Sequence, residues 1–199
     1  MTIAEKIARA KTDYDEVYEA GKKSEYDTLW DNLQKNGERT HYSGAFAYTG
    51  WNDKNYNPKY PISPNHQEGI GSLFTWNREI TDTKVPITAY GKCQAAFNQC
   101  AKLKRIPKLI FNGCTNVSNM FSNCSALEEL YCEGTLDISG LNLQWSTKLS
   151  HDSLISVINV LKDNSGTDTW LSIVFGADNL DKLTEAELEI MTNKQWNYS

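Results

Sequence analysis

The residues in this sequence that could perform nucleophilic or metal chemistry are five cysteines and three histidines. The cysteines are Cys93, Cys100, Cys114, Cys124 and Cys132. Their successive gaps are 7, 14, 10 and 8 residues, so there is no C-x-x-C pair to chelate zinc. His41, His66 and His151 all lie more than a helical turn from any cysteine. An odd number of cysteines without a secretory signal is not typical of a disulfide framework. We therefore expect five reduced thiols and no metal.

The sequence also contains no recognised catalytic motif. It has no Gly-rich phosphate loop, no G-x-S-x-G elbow and no H-E-x-x-H pair. The acidic residues near the N-terminus are more typical of solvated helix faces than of a glycosidase pair. Asp152, beside His151, stands at a predicted helix start, where a carboxylate suits the helix dipole. We predict a protein that is not an enzyme and binds no cofactor.

Phenylalanine recurs in the middle of the chain at Phe74, Phe97 and Phe121, at intervals of 23 and 24 residues. Three residues after each phenylalanine comes Asn or Cys, and further apolar residues follow at intervals of three. A period near 23 with Asn or Cys at one fixed position is typical of a leucine-rich-repeat solenoid. The predicted repeat core is Phe74, Phe97, Phe121, Ile80, Leu103, Leu127, Ile106 and Leu130.

The Asn or Cys position predicts a buried structural ladder of Asn77, Cys100 and Cys124. In such a solenoid one inward corner leaves backbone groups without partners, and the Asn amide satisfies them. Cys fits the same narrow space, buries well and has a weak S–H donor. The remaining cysteines fit as ordinary small core residues.

Residues from about 70 to 135 resemble the BspA-like, Treponema-type leucine-rich repeats, whose copies run F-x-x-C-x-x-L-x-x-I. The segment Ser153 to Asp163, the segment Thr169 to Phe175 and the C-terminal Thr192-Asn-Lys-Gln-Trp196 are similar to the closing segment of that family. The stretch from Ala20 to Tyr60 resembles a leader on short members from gut Firmicutes and their prophages. Gln195 stands where the family has Gly, so we expect the last turn to be shaped differently.

Pattern and resemblance together predict an α/β repeat fold. We expect a short leucine-rich-repeat solenoid with an N-terminal helical segment and a helical C-terminal cap. The expected divisions are a helical segment at 1–36, an aromatic-rich cap at 37–69, repeats at 70–145 and a C-terminal cap at 146–199.

The first predicted helix has apolar residues at heptad spacing and begins with a capping box, Thr2-Ile-Ala-Glu5. A helix of this length is marginal alone in water, so its apolar stripe must pack on something. One interpretation is packing against the next helix, residues 24–34. The other is self-association into a homo-oligomer. The oligomerisation candidates are Ile3, Ile7, Ala10, Tyr14 and Val17.

The aromatic stretch after these helices has two interpretations. It could cover the apolar end of the first repeat, or its exposed rings could form a platform that stacks on a sugar. Its aromatic residues are Tyr42, Phe46, Tyr48, Trp51, Tyr56 and Tyr60.

Short strands are predicted at Ile80–Val85, Leu103–Pro107, Leu127–Cys132 and Leu141–Trp145. Side chains one repeat apart on these strands should lie side by side, and those positions alternate in charge. We expect a solvated structural ladder there, with a charged binding face as the alternative. The binding-face candidates are Asp82, Lys104, Arg105, Glu128 and Glu129.

In the C-terminal region, Leu154 to Leu161 has a helical apolar stripe and Trp170 to Phe175 is typical of a strand. Thr184-Glu-Ala-Glu187 is a second capping box and predicts a helix running toward Met191.

Composition restricts the class of function. The 199 residues carry a net charge of −5, which argues against nucleic acid as a partner. No apolar run is long enough to span a membrane, and the polar start lacks a signal core.

The resemblance, the length and the missing signal predict a non-catalytic phage or prophage virion component. We expect a tail-fibre or baseplate protein, made in the host cytoplasm, that recognises a host surface. Its partners would be other virion or surface proteins and a host-surface glycan or protein. The alternative is a bacterial adhesion or protein-interaction protein in the cytoplasm or at the cell surface. A glycan-active enzyme is a third, weaker hypothesis.

Overall fold

The computed structural model describes residues 42–48, 52, 56, 58 and 60–199. Within these residues, the chain forms six β-strands and three short α-helices. In chain order they are β1 Ile87–Lys92, β2 Arg105–Asn116, β3 Glu129–Thr135, β4 Leu141–Asn142, α1 His151–Val160, β5 Leu171–Val174, α2 Ala177–Leu180, α3 Glu185–Asn193 and β6 Trp196–Tyr198. One parallel sheet has the order β1-β2-β3, and a second has the order β4-β5-β6.

The predicted fold class is wrong. Instead of one continuous leucine-rich-repeat solenoid, the described residues form two small, separate parallel sheets with few helices. The first sheet ends at β3 because α1 lies along the free edge of that strand. The backbone N–H of Leu130 donates to Ser153 Oγ at 2.9 Å, and that of Cys132 donates to Ser156 Oγ. A helix therefore occupies the place of the next parallel strand, and β4 pairs with β5 instead.

The C-terminal region also differs from the helical cap that the sequence predicted. Residues 146–199 contain all three helices, but they also contribute β5 and β6 to the second sheet. Strand β6, at Trp196–Tyr198, was not predicted; Trp196 is buried and donates from Nε1 to the Lys162 carbonyl at 2.8 Å. The C-terminus is therefore part of a sheet.

Several local predictions in this region are confirmed. Helix α1 covers most of the predicted apolar stripe, and β5 lies inside the predicted strand. The Thr184 hydroxyl accepts the N–H of Glu187, whose carboxylate accepts the N–H of Thr184, so the second capping box is present.

The strand predicted at Ile80–Val85 is wrong. Asp82 makes only an isolated bridge to Arg105, and β1 begins later, at Ile87. The Asp82 carboxylate accepts the Lys84 N–H at 2.6 Å, and Lys84 has a φ of 60°, so the chain turns here. Pro86 follows and lacks an N–H for a strand ladder. The other strands overlap their predicted positions, and β2 extends well beyond its own.

The phenylalanines of the repeating pattern lie in tight turns that stack on one another. We call residues 42–48, 70–77, 93–100 and 117–124 the turn stack. A layer is one of these segments together with the chain that follows it up to the next segment or, for the last, up to Thr135. Backbone hydrogen bonds join the layers; Phe74 N–H, for example, donates to the Ala96 carbonyl at 2.7 Å. The buried rings of Phe46, Phe74, Phe97 and Phe121 are near-parallel, with successive centroids 4.9, 5.8 and 5.4 Å apart. The periodic residues thus pack together, although in a fold other than the predicted one.

Three aromatic residues cover the N-terminal end of this core. Tyr42, Phe46 and Tyr56 are buried, and the Tyr56 ring meets Phe74 edge to face with centroids 5.3 Å apart. The Tyr56 hydroxyl donates to the Thr83 carbonyl at 3.0 Å. Burial raises the pKa of Tyr56 well above its usual value, and the nearby Asp82 carboxylate adds to the effect. This part of the aromatic stretch acts as a lid.

The N-terminal prediction lies outside the described residues. The candidate oligomerisation positions Ile3, Ile7, Ala10, Tyr14 and Val17 all precede residue 42, and Trp51 lies outside as well. Among the helices that the structure describes, none is long and apolar enough to cross a membrane.

Candidate functional site

Each layer of the turn stack places one side chain outward at the same point. In the turn Phe74-Thr75-Trp76-Asn77, the Asn77 N–H donates to the Phe74 carbonyl at 2.8 Å, and Trp76 has a φ of 60°. A positive φ at the third turn residue favours Gly or Asn. The residues at this point in the four layers are Tyr48, Trp76, Gln99 and Asn123, with φ between 55° and 64°.

The ladder residues lie one position later and point inward. Asn77, Cys100 and Cys124 are fully buried. The Asn77 Oδ1 accepts the backbone N–H groups of Glu79 and Ile80, both at 3.2 Å. Asn77 therefore holds the chain of its own layer as it leaves the turn.

The two cysteines of the ladder bond across layers. Cys100 donates from Sγ to the Phe74 carbonyl at 3.1 Å, and Cys124 donates to the Phe97 carbonyl at 3.0 Å. Burial raises the pKa of Cys100, and it raises that of Cys124 to about 12. These thiols stay protonated at neutral pH, so their environment suits packing better than nucleophilic chemistry.

Cys93 and Cys114 form a second buried thiol contact, beside the irregularity where β1 meets β2. Their Sγ atoms are 3.8 Å apart, and Cys114 also donates to the Ala89 carbonyl at 3.1 Å. The hydrogen bond from Cys93 lowers the pKa of Cys114, whereas that contact and burial raise the pKa of Cys93. Cys132, in β3, is also buried, and burial raises its pKa.

Three of the binding-face candidates pair with one another. The Arg105 guanidinium contacts Asp82 Oδ2 through Nη1 and Glu129 Oε2 through Nε, each at 3.0 Å. These contacts, Asp82 first, raise the pKa of Arg105. Asp82, Arg105 and Glu129 therefore pair with one another across three layers, as expected for a structural ladder.

The other two candidates, Lys104 and Glu128, are exposed in neighbouring layers. The Lys104 carbonyl accepts the Glu128 N–H at 2.9 Å. Similar exposed ion pairs join other layers: Lys92 with Glu68, Lys102 with Glu79 and Lys108 with Glu133. Since exposed pairs each contribute about 0–1 kcal/mol, they set alignment more than stability.

An exposed aromatic pair distinguishes one end of the outward row. The rings of Tyr48 and Trp76 are near-parallel, with centroids 6.4 Å apart and an interplanar angle of 11°. Tyr48 is 75% exposed and Trp76 is 39% exposed. The Arg78 guanidinium lies 4.6 Å from the centroid of the Trp76 ring. We call Tyr48, Trp76 and Arg78 the aromatic site.

His151 forms a separate polar contact at the start of α1. Its Nε2 lies 2.9 Å from Glu187 Oε1, which links α1 to α3, and its Nδ1 lies 3.8 Å from Asp152. The hydrogen bond from the Thr184 backbone, together with His151, lowers the pKa of Glu187. His151 and Glu187 therefore have a structural role, because their contact joins the two helices.

Among the residues that the structure describes, no group of three or more His, Cys, Asp or Glu side chains is arranged to hold a metal ion. Of the site residues that the structure describes, it brings together Asp82, Arg105 and Glu129, and it aligns Asn77 with Cys100 and Cys124.

Trp76 and Arg78 were not among the residues predicted to form a site. The signal was present, because Trp76 lies two residues after a repeat phenylalanine, where the next two copies have Gln99 and Asn123. An aromatic residue at a polar position of the pattern indicates an outward ring.

Comparisons of the chain with models of protein families, with curated proteins and with solved structures find no match.

Proposed function

We propose that this chain is a non-catalytic binding module that recognises a host surface as a tail-fibre or baseplate component of a phage or prophage virion. The observation that carries the binding role is the exposed aromatic pair, Tyr48 and Trp76, on a backbone held by hydrogen bonds between layers. Exposed aromatic rings on a rigid support are typical of binding surfaces, since they bury large areas at little entropic cost.

The virion context rests on the resemblance to BspA-like repeats of gut Firmicutes and their prophages. The motifs that support it are the Phe97 to Ile106 and Phe121 to Leu130 copies and the C-terminal segments. Self-association through the N-terminal heptad residues would suit attachment to a particle, and light scattering of the full chain measures it.

Binding is tested with the labelled full chain and a panel of intact gut Firmicutes cells. We expect saturable binding to at least one strain, and loss of that binding in the Tyr48→Ala/Trp76→Ala double variant. Trp145→Ala/Trp170→Ala is the matched control, because both tryptophans are about half exposed and lie outside the aromatic site. Equal binding by wild type and both variants, or no binding above an unrelated protein, would overturn the binding role of this surface.

Virion membership is tested separately. Particles are induced from the bacterium that carries the gene, purified, and searched for peptides of this chain. Recovery of the chain in the particles supports the proposal. Its presence on or in the cells but not in the particles would favour the bacterial adhesion or interaction protein.

A further inference from the structure

We infer that the aromatic site of Tyr48, Trp76 and Arg78 binds an acidic saccharide, with the sugar ring against an aromatic face and its carboxylate or phosphate on Arg78. This inference rests on the proposed binding function and names its ligand class. The shared chemistry of the ligand is one anionic group on a pyranose or polyol unit.

The first support is that both rings stand at a turn position that does not require an aromatic side chain. In the next two layers the same point carries Gln99 and Asn123, which also adopt positive φ. An amide therefore satisfies this turn, and Asn tolerates the left-handed conformation better than Trp or Tyr does. Tyr48 and Trp76 thus expose apolar rings to water and adopt a positive φ, although aromatic residues favour neither.

The second support is the open ring surface. Carbon atoms in contact are about 3.5–4.0 Å apart, so rings with centroids 6.4 Å apart are offset and overlap only in part. The Tyr48 ring therefore leaves part of its face open, and its 75% exposure agrees with this. The C–H face of a sugar ring is flat and weakly polar, and it fits such a surface.

The third support is the charge at Arg78. Among the residues that the structure describes, Arg78 has no carboxylate partner, whereas Arg105 and Lys102 both pair with acids of a neighbouring layer. Contact with the Trp76 ring orients the guanidinium and leaves its N–H groups available. A guanidinium with free donors binds a carboxylate or phosphate through paired hydrogen bonds.

The outward row that contains Tyr48 and Trp76 continues with side chains that can bind sugar hydroxyls. Gln99 and Asn123 follow Trp76 in line, one layer apart, and strands or turns joined in this way are about 4.8 Å apart. Amides both donate and accept hydrogen bonds, as hydroxyls require. A pyranose unit is about as long as this spacing, so an oligosaccharide can follow the row.

A nucleic acid also has stacking rings and anionic groups, but the surroundings disfavour it. Its backbone carries a charge at every nucleotide and needs several cations along its path. Here the neighbours of Arg78 include the exposed Glu79, and the whole chain has a net charge of −5. One cation beside two rings matches a ligand with isolated charges.

Calorimetric titration of the full chain tests the inference. The probes are polygalacturonate, which supplies carboxylates, a ribitol-phosphate teichoic acid, which supplies phosphates, a neutral galactan, and a single-stranded RNA oligomer. We expect at least one acidic saccharide to bind, and at least tenfold more tightly than the galactan or the RNA. Comparing the first two probes identifies the anionic group.

The variants separate the contributions of ring and charge. Trp76→Asn keeps a residue suited to the turn, and we expect it and Tyr48→Ala each to weaken binding at least tenfold. Arg78→Ala should remove the preference for the acidic saccharide over the galactan, and Arg78→Lys should restore part of it. Trp145→Ala and Lys148→Ala, at an exposed tryptophan and an exposed lysine elsewhere, are the controls and should bind as wild type. Circular dichroism and thermal melts show that each variant is folded.

Either of two kinds of result, one from cells and one from the purified probes, would overturn the inference. One is cell binding by the wild-type chain without affinity for either acidic saccharide, in which case the proposed function stands and the ligand class is wrong. The other is equal binding of acidic and neutral probes, or tighter binding of RNA. Failure to bind both cells and saccharides would contradict the proposed function itself.

Discussion

The Cys124 thiol shows at the residue scale how burial couples chemistry to stability. Its pKa in the folded protein is about 12, raised by burial from a usual value of 9.0. Above pH 9 the thiol ionises in the unfolded chain but stays protonated in the folded one. The folded state is therefore favoured below pH 9 and loses this contribution as the pH rises toward 12.

We expect Cys124→Ser to flatten the alkaline loss of stability. The wild-type free energy of unfolding should fall with pH above 9 more steeply than that of the variant, by up to about 1.4 kcal/mol per pH unit. Urea unfolding of both proteins at pH 8, 9.5 and 10.5 measures the difference. The other buried thiols and Tyr56 titrate in both proteins and cancel. Parallel pH profiles would show that Cys124 is not buried as described.

Position 134 requires glycine because the backbone of β2 lies very close to it. It has a φ of 83°, and a Cβ built there would lie 2.1 Å from the Phe111 carbonyl oxygen. Gly166 has nearly the same φ, 82°, but nothing lies within 4 Å of its Cβ position. The two glycines therefore share a positive φ and differ in available space.

We therefore expect Gly134→Ala to destabilise the protein more than Gly166→Ala. The control should cost about 1–2 kcal/mol for its left-handed conformation. Gly134→Ala should add about 1–3 kcal/mol or more of steric conflict. Denaturant unfolding of the two variants gives the comparison, and equal losses would contradict the close approach of β2 and β3 at this point.

Residue-scale expectations could be drawn from the sequence where spacing dictated them. Phe97 and Phe121, with Cys100 and Cys124 three residues later, are all buried. Of the aromatic site, only Tyr48 was among the residues of the predicted sugar platform. Trp76 and Arg78 were not predicted, because the outward position of Trp76 depends on a positive φ that tryptophan does not favour. The spacing did predict that Asp82, Arg105 and Glu129 would lie side by side, and Arg105 pairs with both acids. It did not show that Arg78 stacks on the Trp76 ring.

At the element scale, the contact of α1 with β3 depends on two serine hydroxyls. Ser153 Oγ and Ser156 Oγ accept the N–H groups of Leu130 and Cys132, and donate to backbone carbonyls of β3 and the residue before it. Helix residues here replace the hydrogen bonds of a neighbouring strand.

Replacing both serines by alanine should leave two buried N–H groups without partners. Since each such group costs about 1–3 kcal/mol, we expect the double variant to lose roughly 2–6 kcal/mol of unfolding free energy. Ser172→Ala, in β5 with an exposed side chain, is the control and should be near neutral. Chemical denaturation measures both, and a double variant as stable as the control would contradict this role of α1.

The capping box of α3 gives a second prediction at this scale. The Thr184 hydroxyl accepts the Glu187 N–H, so Thr184→Ala should lower the unfolding free energy by about 1 kcal/mol. Thr147→Ala, at an exposed loop position, is the matched control. Thermal or urea unfolding at pH 7 distinguishes the two, and a loss no larger than that of the control would argue against the cap.

Glu187 adds a pH dependence with the opposite sign to that of Cys124. Hydrogen bonds from the Thr184 backbone and from His151 lower its pKa below the usual 4.5. Its contribution is present above pH 4.5 and is lost as the pH falls through the folded pKa. Glu187→Gln should therefore be less stable than wild type at pH 7, and the gap should narrow below pH 4.5. A gap that stays constant with pH would contradict this.

Helices were easier to predict than strand limits. Periodicity and caps located α1 and α3, because both signals are local. The strand predicted at Ile80–Val85 is absent because the Asp82 side chain accepts the Lys84 N–H and the chain turns there. The spacing of apolar residues carries no information about that hydrogen bond. Strand β6 is too short to show an alternating pattern.

At the scale of the whole molecule, the repeat pattern predicted stacking but not architecture. Only the copies at Phe97 and Phe121 are complete, and two units are fewer than a self-supporting solenoid needs. The architecture then depends on the segment that comes after the last complete copy. Here that segment leads to a serine-bearing helix, so the first parallel sheet stops and a second one forms beyond it.

The termination of the first sheet by α1 also bears on how copies of the protein behave toward one another. An uncovered parallel strand offers a row of N–H and C=O groups to any other chain, which is a common origin of aggregation. Ser153 and Ser156 occupy two of those N–H groups on β3, so the edge is closed to strands from outside. The same hydroxyls that end the sheet within one molecule thus keep it from growing across molecules. We expect replacement of both serines by alanine to lower the solubility of the protein at high concentration.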